Sequence, residues 1–234
     1  MGFVVNGMLR VYAYPKPHNT HPHTGGIPKR DCWPTHPFDS SDISSFVNRV
    51  KLVSPEYYIV GYDDLNHLIS QIVQLLNTQT WKSGTPPVTY HHPCLQVLEI
   101  ASHANPARCG GICSHNIAQF ANAVDALTYC DELKIYFSGC NTGCRNPDSP
   151  GDPSLAEALA ELLPSASKHK QYRVTVYGTK GYQTGSNAGK DSEVTRDEYG
   201  GTTYLFAQDK KQPTTTTSTA DDPTYRGFRG PNSA

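Results

Sequence analysis

Charge is scarce in this chain and evenly split. Charged residues make up 18% of 234 positions, below the usual quarter. The formal net charge is -1 and the isoelectric point lies near 6.8, so no basic face for nucleic acid or an anionic bilayer is indicated, and neither partner is expected. No apolar run nears the roughly 20 residues a membrane-crossing helix needs. The opening MGFVVNGMLRVYAY has neither a basic head nor a long apolar stretch, so it does not read as a signal peptide. Met1-Gly2 could begin a myristoylation signal, but Asn6 stands where Ser or Thr is needed. The expected location is the cytoplasm, or outside the cell after export without a cleavable leader. No internal repeat is found.

The seven cysteines, at 32, 94, 109, 113, 130, 140 and 144, are odd in number and spread over a chain too large for a disulfide scaffold. Free thiols in a reducing compartment are the expectation, with one or two of them chemical.

Glycine, proline, serine and threonine fill much of the rest, which predicts long loops. Residues 1–50 read as an irregular arm, dominated after Tyr14 by PKPHNTHPHTGGIPKRDCWPTHP. Ser41 can cap a helix over Ile43–Val50. Cys32 and Trp33 are expected to pin the arm to the core by packing. His18, His21 and His23 lack acidic or cysteine neighbours and read as a solvated loop.

Regular structure is expected over 51–211. YYIVGY from Tyr57 reads as a buried strand. Asp63 or Asp64 can cap the helix that follows, whose Leu65, Leu68, Ile69, Ile72, Val73 and Leu76 recur at helical spacing. Tyr90-His91-His92 reads as a turn. LQVLEIA (95–101) is the second strand. The helix after it spans 116–127, with Ile117, Phe120, Ala121 and Val124 on one face. LKIYFSG (133–139) is the third strand. Ser154 and Glu157 have the spacing of a capping box, and Leu155, Leu159, Leu162 and Leu163 follow. RVTVYGT (173–179) is the fourth strand, and TYLFA (203–207) can add an edge strand. Residues 212–234 read as a tail that need not pack. Strand–helix repeats with apolar strands of the fully buried kind specify an α/β domain with a mostly parallel sheet covered on both faces.

In such sheets the working crevice lies beyond the carboxyl ends of the strands. His103 comes two residues after the second predicted strand and Cys140 directly after the third. Consecutive strands are usually neighbours, about 5 Å apart, so the two side chains can approach. An imidazole can take a thiol proton, hold the thiolate, and return a proton to a leaving amine. The backbone N–H groups of Ala104 and Cys140 are candidates for an oxyanion hole. Asp63, Ser138 and Thr179, at the ends of the first, third and fourth strands, are the candidate substrate-lining residues. The loop between Cys140 and Ser154 is long, so the dipole of the helix beyond it is expected to contribute little. No cofactor is required.

The motifs LEIASHANPARCGG and LKIYFSGCNTG, followed by SLAEALAELL and VTVYGTKGY, resemble the caspase-like (clan CD) cysteine peptidases over roughly residues 57–182. The flavour is that of bacterial CHAT domains and toxin self-processing domains. The resemblance implies a caspase-like three-layer α/β/α sandwich, His103 as general base and acid, Cys140 as nucleophile, and a peptide or protein substrate. It also marks departures. Ala104 stands where the family carries glycine, a residue that reaches positive φ cheaply. Ser138 stands where members that cleave after basic residues carry an acid. Asp191, Glu193, Asp197 and Glu198, after the fourth strand, read as a solvated loop.

Two other readings remain open on the sequence. One is a catalytically inactive interaction domain on the same scaffold. The other is a zinc-stabilised module using Cys109, Cys113, Cys140 and Cys144, two C-x3-C pairs. Cys109 and Cys113 can equally form a labile disulfide or stay free.

Overall fold

Strands as apolar as LQVLEIA and LKIYFS need cover on both faces, and the fold supplies it with helices. The computed structural model describes residues 2–16, 32, 40–143, 151–163, 173–180 and 202–209. In chain order the first elements are β1 (Met8–Pro15), α1 (Ser40–Asp42), a π-helical turn (Ile43–Val47), α2 (Asn48–Val53), β2 (Tyr58–Tyr62) and α3 (Leu65–Thr78). Next come the hairpin β3 (Thr80–Ser83) and β4 (Val88–His91), then β5 (Cys94–Ala101). Three two-residue strands follow, β6 (Ala104–Asn105), β7 (Arg108–Cys109) and β8 (Ile112–Cys113). The chain continues through α4 (Ile117–Asp125), β9 (Tyr129–Ser138), α5 (Leu155–Leu162), β10 (Arg173–Lys180) and β11 (Thr202–Asp209).

The main sheet has six strands in the order β11-β10-β9-β5-β1-β2. Every pair is parallel except β10 with β11. The protein is therefore α/β with a central, mostly parallel sheet, and β11 is the edge strand that TYLFA suggested. Leu68, Ile72 and Leu76 of α3, the four predicted apolar positions of α4, and Leu155 and Leu159 of α5 bury one face of the sheet. The other face carries Tyr12, Val97, Ala101, Tyr136 and Tyr177, and is covered by Val47 and Val50 with Ile43 and Phe46 beside them. Among the described residues no helix is long and apolar enough to cross a membrane.

The reading of residues 1–50 as an irregular arm is corrected by β1. This strand lies inside the sheet, paired with β2 on one side and β5 on the other. Leu9, Val11, Tyr12 and Ala13 are buried. Arg10 is tolerated there because its guanidinium donates to Gln96 Oε1 (3.1 Å) and to Glu56 Oε1 (3.4 Å). Helix formation starts at Ser40 rather than with Ser41 as a cap. Tyr90 and His91 also prove to be strand rather than turn, with Tyr90 stacked on Trp81 at 5.4 Å between centroids.

Counted in chain order, the parallel strands lie 2-1-3-4-5. Helix α2, between β1 and β2 in the chain, covers one face of the sheet, and α4, between β5 and β9, covers the other. Connections whose helices cover opposite faces from adjacent strands open a crevice at the strands' carboxyl ends, the usual ligand position in open α/β sheets. His103 begins the loop on the β5 side of that crevice.

Candidate active site

The β5–β9 ladder ends at the pair Ala101–Ser138, and the Ser102 N–H still donates to the Ser138 carbonyl at 3.3 Å. His103 and Cys140 each stand two residues beyond that last pair. The sequence expectation that their strands are neighbours holds. Between them the backbones are pressed together at Gly139: a Cβ there would overlap the Ala104 Cβ and the Ser102 carbonyl oxygen. Only glycine lets the two loops come this close.

His103 is partly exposed (44%), and its Nε2 lies 3.0 Å from Asp42 Oδ2. Asp42 was not singled out from the sequence. It stands 61 residues before His103, where an acid at a helix start reads as a capping or dipole partner.

Cys140 is partly exposed and outside any disulfide. The residue after it, Asn141, has φ 59, a left-handed turn that Asn accepts better than other side chains. Thr142 then locks the turn. Its Oγ1 donates to the Phe137 carbonyl (2.7 Å) and accepts from the Thr179 N–H (2.9 Å), while the Gly143 N–H donates to the Thr179 carbonyl (2.9 Å). The α5 N-terminus returns to this turn despite the long loop. The Ala156 N–H donates to the Thr142 carbonyl (3.3 Å) and the Leu155 N–H to the Pro106 carbonyl (2.9 Å). The expected capping box is present: Glu157 N–H donates to Ser154 Oγ, and Ser154 N–H to Glu157 Oε2.

Cys109 is a different kind of thiol. It is fully buried, in contact with Ser102 Oγ (3.4 Å) and the Ile100 carbonyl (3.6 Å). Burial pushes its pKa up to about 12, and the nearby Cys140 adds to the rise while Ser102 opposes it. It is a core thiol that stays protonated at neutral pH.

Ala104 lies in β6, paired with Cys109, and is not among the described non-glycine residues with positive φ. The conformational cost foreseen for alanine there is therefore not incurred. Ser138 is buried, and its Oγ donates to Glu99 Oε1 at 2.6 Å. Thr179 is also buried, with Oγ1 turned to the Phe137 carbonyl at 3.4 Å. Both hydroxyls support the strand ends from within. Asp63 follows the edge strand β2, with β1 between it and β5, so it lies roughly 10 Å away laterally at ordinary strand spacing. It pairs with Lys16 (3.2 Å) and His67 (2.8 Å), and the Lys16 hydrogen bond holds its carboxyl below the usual range. Asp64 is the helix cap, accepting from the His67 N–H at 2.8 Å. Asp191, Glu193, Asp197, Glu198, Trp33 and the histidines at 18, 21 and 23 lie outside the described residues, as does the tail 212–234.

Glu99 is the second residue the sequence reading passed over. It is a buried acid flanked by the apolar Leu98 and Ile100 in its strand. That is a signal in its own right, because a carboxylate is seldom buried without a partner. In the register it sits between Tyr12 of β1 and Tyr136 of β9. Tyr136 stacks on Tyr177 at 4.3 Å. Burial, then the Glu99 charge, raises the Tyr12 phenol well above its ordinary value.

Free thiols throughout are also corrected. Cys32 is bonded to Cys113, and Cys94 to Cys130. Cys94 and Cys130 flank the start of the β5–β9 ladder, while Cys32 is held to β8 covalently and not by packing alone. The zinc set dissolves with this. Cys113 has spent its sulfur in a disulfide, Cys109 faces the core, and Cys144 lies outside the described residues.

No protein-family model, no curated protein and no solved structure matches the chain.

Proposed function

We propose that this protein is a caspase-like cysteine peptidase, with Cys140 as nucleophile and His103 as general base and acid, on a three-layer α/β/α form of the observed fold. The observation that carries the reading is the equal two-residue overhang of His103 and Cys140 past the Ala101–Ser138 pair of adjacent parallel strands. The switch-point position beside β1 supports it. So does the contrast between the two thiols outside disulfides among the described residues: Cys140 is partly exposed and Cys109 is buried.

In this reading His103 takes the Cys140 proton, and Sγ attacks the peptide carbonyl carbon. The oxyanion is held by the backbone N–H groups of Cys140 and Ala104. The tetrahedral intermediate collapses to a thioester as His103 protonates the leaving amine. His103 then removes a proton from water, whose oxygen attacks the thioester carbonyl and releases the acid and the thiol. The substrate class is a peptide or protein, either another chain or a segment of this one. The two disulfides support an oxidising compartment, where such bonds persist.

A panel of peptidyl electrophiles read by intact mass tests this. The reading requires rapid single-site labelling of the wild type that disappears in Cys140→Ala and slows in His103→Ala. Labelling that is slow, spread over several cysteines and indifferent to His103→Ala would instead indicate a non-catalytic domain.

A further inference from the structure

The segment that carries Asp42 is seated firmly on the sheet. Val47 and Val50 are buried, with Ile43 and Phe46 partly buried, against Tyr12, Tyr57, Val97, Ala101, Tyr136 and Tyr177. Ala101 is two residues before His103. The apolar face of the helical segment thus fixes the backbone of Asp42 beside the end of β5. A π-helical turn, Ile43–Val47, begins directly after Asp42. Such turns insert an extra residue into a helix and are frequent at functional sites. The outcome is a carboxylate oxygen 3.0 Å from His103 Nε2.

An ionised carboxylate only accepts hydrogen bonds. It therefore selects the imidazole form that carries its proton on the facing nitrogen. We propose that Asp42 is a positioning residue for His103. Its Oδ2 accepts from Nε2–H, which leaves the Nδ1 lone pair to take the Cys140 proton. That transfer breaks the S–H bond, forms Nδ1–H, and leaves a thiolate beside an imidazolium whose charge the Asp42 carboxylate balances. Asp42 exchanges no proton in this step and touches no substrate. The inference rests on the Cys140–His103 reading for its chemistry and on the Asp42–His103 contact for its geometry.

Long-range proton–nitrogen NMR of the neutral His103 ring reads the tautomer directly. The wild type should show the proton on Nε2. Asp42→Ala, and Asp42→Asn whose amide can donate instead of accept, should shift population to the Nδ1–H form. Asp42 is partly exposed (20%), and the melting curve of each variant checks that it is folded under the assay conditions. Alkylation of Cys140 by iodoacetamide at pH 7 should slow at least about tenfold in both, a fraction of the 10²–10⁴-fold that general base catalysis supplies in full. A wild-type proton on Nδ1, a tautomer indifferent to both substitutions, or an alkylation rate unchanged by them overturns the proposal. His103→Ala in the same assay separately tests the pair beneath it. If that variant alkylates at the wild-type rate, the peptidase reading fails even where the tautomer result upholds the Asp42 contact.

Discussion

Cys32 is bonded to Cys113, 81 residues further along, and so ties the segment preceding Asp42 to the small β6–β8 sheet that follows His103. Closing a loop of that length removes about 4–5 kcal/mol of unfolded-chain entropy in the loop-closure account, and the 36-residue Cys94–Cys130 link about 4 kcal/mol. Urea unfolding of the Cys32→Ser/Cys113→Ser variant should show a loss of that order. An unchanged midpoint would mean the bond contributes no stability.

Gly139 is a second point where geometry dictates an outcome. A methyl at this position meets the Ala104 Cβ and the Ser102 carbonyl, one of which is backbone and cannot rotate away. Gly139→Ala should cost about 1–3 kcal/mol. It should also slow electrophile labelling of Cys140 by spreading the two loops. A variant as stable and as reactive as the wild type would show that the loops are not held by this contact.

Ser138→Ala removes the hydroxyl that donates to the buried Glu99 carboxylate at 2.6 Å. Loss of a hydrogen bond to a buried polar group costs about 1–3 kcal/mol. Chemical denaturation of Ser138→Ala, compared with the exposed control Ser70→Ala, should show the difference. Equal midpoints would remove Ser138 from the support of the strand ends.

The Cys109 thiol gives the fold a pH dependence on the alkaline side. Its pKa is raised by burial to about 12, whereas a thiol in the unfolded chain ionises near 8.5. A raised folded value means the stability is complete below about pH 8.5 and declines as pH climbs toward 12. At pH 10 the loss is about 1–2 kcal/mol by this linkage. Stability measured from pH 8 to 10.5 should fall in the wild type and fall less steeply in Cys109→Ala. Parallel curves would contradict the burial account.

Most of the fold was legible because its elements obey local rules. The helix α3 shows its buried Leu68, Ile72 and Leu76 at helical spacing, and α5 shows its capping box as a bare Ser-x-x-Glu. The strands β5, β9 and β10 each carry a run of apolar residues that ends in a small-residue turn or strand end. What escaped notice depends on distant partners. β1 carries Arg10 and runs into the prolines at 15 and 17, so it reads as poor strand until Gln96 and Glu56 take up the charge. In the site, His103 and Cys140 stood out because each ends a strand. Asp42 did not, since nothing in SSDISS points to a histidine 61 residues on. The disulfide pairs were hidden for the same reason. An odd count of thiols names no partners, and only the fold brings Cys94 beside Cys130 and Cys32 beside Cys113.

The central claim is that His103 activates Cys140, and the most direct measurement is the alkylation rate of Cys140 at pH 7 in the wild type and in His103→Ala, followed by peptide mapping. The account predicts a wild-type rate at least about tenfold faster, with a difference that narrows above the pH of about 8.5 where an ordinary thiol ionises unaided. Equal rates at pH 7 would contradict it, because a thiol that gains nothing from the imidazole two residues past the neighbouring strand end is not a member of a catalytic pair.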